Sequence, residues 1–71
     1  MTITFKNSTE AMQFKVAAFN SIRAMGRMDW TEFSGEEARQ WFMDQAKKRN
    51  MRDHLLEPFA LFCMKQFMGN A

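Results

Sequence analysis

Few side chains in this 71-residue chain belong to types that could do chemistry, and their spacing limits what that chemistry could be. His54 is the single histidine, and with Asp53 and Glu57 close by in sequence it could be tuned as a general base. A lone histidine in the lead-in to a helix is more often a cap or a surface group, and that is the expectation here. Cys63, the single cysteine, lies among Phe59, Phe62 and Phe67, whose apolar surroundings disfavour a thiolate and predict an inert core thiol. Ser34 sits in F-S-G, which lacks the G-x-S-x-G frame of a nucleophile elbow, and helix capping accounts for it. The adjacent acids Glu36 and Glu37 fall in a first helical turn, where the helix dipole favours negative charge.

Three glycines supply no G-x-x-x-x-G-K-[ST] or G-x-G-x-x-G phosphate cradle, and no His/Cys set has metal-ligand spacing. The expectation is a chain with no catalytic residues, no metal, no cofactor and no small-molecule substrate.

The run Lys47, Lys48, Arg49 and Arg52 is the one nucleic-acid signal. Cations at a helix C-terminus are stabilising in any case, and the net charge of +2 is a weak field for a phosphate binder. A helix-turn-helix reading would make the last helix the recognition helix, yet it offers Leu, Phe and Met where base edges need Arg, Asn or Gln. Backbone contact through Lys47 to Arg52, with Trp41 or Phe42 for stacking, is the remaining nucleic-acid alternative.

These residues must be held by a small framework. Ordering a chain costs roughly 1.5 kcal/mol per residue, which apolar burial only about balances at this size. One cysteine excludes an internal disulfide, so self-association is the usual stabilising route left open. The opening MTITFK lacks the basic and apolar regions of a signal peptide, which predicts a soluble, cytoplasmic protein of a reducing compartment.

Residues 2–6 alternate polar and apolar, predicting an extended arm with Ile3 and Phe5 on one side, lying over the helices or pairing with another strand. N-S-T-E from Asn7 has the form of a capping box with Glu10 reaching back to the Asn7 amide, opening a helix over about 8–25. Ala11, Met12, Phe14, Val16, Ala18, Phe19, Ile22 and Met25 are predicted as its inward face, interrupted by Lys15; Gln13, Ala17, Asn20, Ser21 and Ala24 fall opposite. Gly26 is predicted as its stop.

A short turn at about 29–33, capped by Asp29, carries Trp30 and Phe33. Ser34 with Glu37 opens a second helix over about 35–49, with Ala38, Trp41, Phe42 and Ala46 inward. Asn50 suits the left-handed turn that follows. Pro58 places the main start of the last helix between Leu55 and Pro58, after a lead-in turn, or kinks the helix at that point. The fold class expected is all-α: a single domain, a small bundle of three main helices with a short extended N-terminal segment.

The last helix, about 55–68, carries one wide face of Leu55, Leu56, Phe59, Ala60, Phe62, Cys63 and Phe67 for the core. A second seam, Leu61, Met64 and Met68, is left over. Burying such a side chain is worth about 1.5–3 kcal/mol. The seam is therefore expected to be covered by the arm or connector, by a second copy in a homodimer, or by a different protein. A last helix of fourteen residues is too short to cross a bilayer, which takes about 20, and its polar side carries one lysine, so no membrane partner is expected. With eight Met and eight Phe but no Tyr, the chain reads as a non-enzymatic protein-binding regulator, inhibitor or adaptor using an apolar, Met-rich helical surface. A phage or mobile-element origin suits a chain of this size, though no residue points to it.

Overall fold

Three helices follow one another: α1 over Ser8–Gly26, α2 over Gly35–Lys48 and α3 over Asp53–Met68, with a single 3-10 turn at Trp30–Glu32 in the first link. The computed structural model describes residues 3–68, Met68 by its backbone alone, and no strand occurs among them. The molecule is the small all-α bundle that the periodicity predicts.

The start of α1 differs from expectation in one bond. The Asn7 side chain accepts the Glu10 N–H at 2.8 Å, as a cap should, but Glu10 does not return to the Asn7 amide. Its carboxylate accepts instead from the Lys6 N–H at 2.7 Å and from two guanidinium nitrogens of Arg52, each at 2.7 Å. A bidentate guanidinium is a stronger partner than one amide, so the residue at the foot of α3 decides where Glu10 points. At the other end Gly26 is the last helical residue, with no positive φ among the described glycines. The helix stops by tightening, the Arg27 and Met28 N–H groups each donating three residues back at 3.1 Å.

The capping box of α2 is complete: the Ser34 hydroxyl accepts the Glu37 N–H at 3.1 Å and the Glu37 carboxylate accepts the Ser34 N–H at 2.9 Å. The C-terminus is a full Schellman motif. Asn50 takes φ 57°, its N–H reaches the Lys47 carbonyl at 3.0 Å, and the Met51 N–H reaches that of Ala46 at 3.1 Å. The 3-10 turn lacks the cap expected of Asp29, whose carboxylate accepts the Thr31 hydroxyl at 2.7 Å.

Helix α3 starts at Asp53, so the predicted lead-in turn belongs to the helix and Pro58 is its sixth residue. Leu55 and Leu56 explain this: both are buried, and their anchorage holds the first turn wound although Pro58 donates no bond to the turn before it.

The core is built around α3, which packs against both other helices, whereas α1 and α2 touch each other least. Leu56, Phe59, Ala60 and Cys63 meet Ala38, Phe42 and Ala46 from α2 and Phe14, Ala17, Ala18 and Met25 from α1. Phe14 is the aromatic hub, with ring centroids 5.1 Å from Phe5, 5.3 Å from Phe59 and 5.6 Å from Phe62. Ile3 and Phe5 of the extended arm thus lie against the helices.

The rotation of α1 departs from the predicted inward face. Phe14, Ala18 and Met25 are buried as expected, but Ala17 and Ser21 join them while Met12, Val16 and Phe19 point into solvent. The helix is apolar around much of its circumference, so hydrophobicity alone does not fix which side turns in. The buried side mixes the small residues Ala17, Ala18 and Ser21 with Phe14 and Met25, whose large side chains belong to the core.

Candidate protein-binding face on the first helix

The exposed large apolar residues of α1 fall at i, i+4 and i+7, and at about 100° per residue they share a stripe roughly 60° wide, opposite the buried side. Met12 is 63% exposed, Val16 52% and Phe19 67%, well above any other large apolar side chain described. They leave on the order of 300 Å² of apolar surface uncovered, the scale of the largest patch on a typical monomer, which is often functional.

Concave surfaces flank the stripe. On one side a groove of about 510 Å³ runs between α1 and the turn into α3, lined by Met12, Val16, Arg49, Met51, Arg52 and Leu55 among others. On the other, a groove of about 430 Å³ is lined by Lys15, Phe19, Ile22, Phe62 and Gln66. The apolar ridge is thus bordered by grooves in which apolar side chains alternate with charged and polar ones.

Its electrostatics are one-sided. Glu10 is the single acid of α1, and the hydrogen bonds from Arg52, then that from the Lys6 amide, hold its carboxyl below the usual carboxylate range. Lys15 and Arg23 are exposed and have no ion-pair partner among the described residues. Among the described residues, no acid pairs with the positive charge beside the stripe.

Of the seam predicted on α3, Leu61 is 37% exposed, Met64 is half-buried against the core, and the side chain of Met68 lies outside the described residues. Of the basic run, Lys47, Lys48 and Arg49 are exposed at the end of α2, Arg49 donating to the Gln45 carbonyl at 3.3 Å, while Arg52 is tied to Glu10. Phe42 is 1% exposed and offers no ring for stacking; Trp41 is half-buried, edge-on to it at 5.2 Å. His54 is exposed beside Asp53 and Glu57 on the first turns of α3. Burial pushes the Cys63 thiol up to about 12.

No family model, curated protein or solved structure matches this chain.

Among the described residues, no group of three His, Cys, Asp or Glu side chains is placed to hold a metal ion, and no helix is long and apolar enough to cross a membrane. Reading the sequence alone misses Met12, Val16 and Phe19 as surface residues because their spacing is equally that of a core face. Lys15 was the available signal: a charge in the middle of a supposed inward face marks that face as wet.

Proposed function

We propose that this chain acts by binding another protein through the outward face of α1, as a small regulator, inhibitor or adaptor without chemistry of its own. The observation that carries this reading is the exposure of Met12, Val16 and Phe19 in a single stripe, since a chain this small gains little stability to spare and still leaves three large apolar side chains in water. An exposed apolar seam at helical spacing is a recognised way for one helix to dock on another. The proposal shifts the binding surface from the α3 seam, where Met64 already has neighbours in the core, to α1.

The test is affinity capture with the wild-type chain and with Val16→Gln, Phe19→Gln. A protein retained by the former and lost by the latter, with helicity unchanged, is the expected result; equal retention would move the interface elsewhere. The nucleic-acid alternative makes a different forecast: salt-sensitive binding to nucleic acid that disappears in Lys47→Glu, Lys48→Glu.

A further inference from the structure

We infer that the partner segment is an amphipathic helix carrying carboxylates beside its apolar seam, an inference that rests on reading α1 as the docking face. Met12, Val16 and Phe19 recur at the spacing of a coiled-coil seam, and Arg23 falls at the next position of the same repeat. Lys15 flanks the seam on one side, and Arg49 stands at the groove on the other. The one acid of this helix, Glu10, already accepts both Arg52 bonds and the Lys6 amide, so it offers a partner's cation little.

A second copy of the chain fits poorly on charge. Docked antiparallel about Val16, it would set Lys15 beside the partner's Lys15; docked parallel, it would stack Arg23 on the partner's Arg23. Neither arrangement brings a carboxylate to the seam. A helix with Glu or Asp along its edges meets Lys15 on one flank and Arg49 on the other with opposite charge, and a carboxylate beyond the end of its apolar seam meets Arg23. The three exposed side chains alone cover less than the roughly 800 Å² per partner of a stable interface, so the partner must also enter the grooves. A helix laid along α1 at the usual interaxial distance of about 8–10 Å has side chains positioned to do so.

The probes are two labelled synthetic helical peptides with the same leucine seam, one with Glu at the flanking positions and one with Lys, titrated with the full chain by fluorescence anisotropy. The expected result is at least tenfold tighter binding of the Glu peptide, reversal of that order by Lys15→Glu, Arg23→Glu, and loss of both by Val16→Gln, Phe19→Gln, with helicity intact in each variant. Equal affinity for the two peptides, with Phe19 still required, would overturn the acidic-partner inference while leaving the docking face in place. Binding of neither peptide would overturn both. Sedimentation as a dimer that the Val16→Gln, Phe19→Gln change dissolves would make the occupant a second copy and overturn the inference by another route.

Discussion

At the scale of single residues, Ser21 is the point at which the core is least well matched to its contents. Its hydroxyl is buried on the strip that α1 turns inward and has no hydrogen-bond partner. A buried polar group left unsatisfied costs about 1–3 kcal/mol, so Ser21→Ala is expected to stabilise the fold, by up to about 1 kcal/mol, as a rise in the midpoint of thermal unfolding. A fall would mean that the hydroxyl is bonded. Gly26 makes a second case: a Cβ there would lie 3.8 Å from the Phe67 ring, an ordinary contact, and the backbone is helical. Gly26→Ala should add about 0.4–1 kcal/mol by restricting the unfolded chain. Cys63 behaves as its surroundings require. Its thiol is raised from an ordinary value near 9 to about 12, so the folded state disfavours the thiolate and stability should fall as the pH climbs from about 9 toward 12. Below that range, labelling by a thiol reagent should proceed at the rate at which the chain opens, slow in buffer and fast in denaturant.

At the scale of elements, the boundaries follow local rules that can be read without coordinates. Ser34 with Glu37 and Asn50 with its left-handed backbone do what their types predict, because caps are decided by neighbours a few residues away. Helix α3 begins earlier than Pro58 suggested, because the burial of Leu55 and Leu56 is tertiary and outweighs a missing bond. Restoring that bond with Pro58→Ala should raise stability, by about 3 kcal/mol at most.

The Glu10–Arg52 pair joins α1 to α3 across 42 positions of sequence, and capping logic gave no hint of it, since the competing partner is distant in the chain. Its carboxyl is held below the ordinary range in the folded state, so it contributes stability at neutral pH that is lost as the pH falls through that lowered value. Glu10→Gln should therefore lower the unfolding midpoint at pH 7 and flatten the loss of stability on acidification. An acid limb as steep as that of the wild type would show that the pair does not contribute.

At the scale of the whole molecule, the all-α class and the wide face of α3 were legible because α3 is apolar enough to have one possible role. Leu55, Leu56, Phe59, Ala60 and Cys63 are all interior. The candidate binding face was not legible, since α1 carries two apolar sides and the choice between them is made by tertiary packing. Both sides carry large side chains: Phe14 and Met25 are interior with Ala17, Ala18 and Ser21, whereas Met12, Val16 and Phe19 stand out. A side chain such as Phe59, 0% exposed at the centre of the bundle, should cost about 3–5 kcal/mol when cut to alanine, most of what a chain this size can hold.

The outward stripe should cost almost nothing, and that contrast is the central claim. It is tested most directly by thermal unfolding of the Val16→Gln, Phe19→Gln variant followed by circular dichroism. Wild-type helicity and a change of no more than about 0.5 kcal/mol per site are expected of surface positions. Loss of the folded baseline would place these side chains in the core and remove the docking face from the molecule.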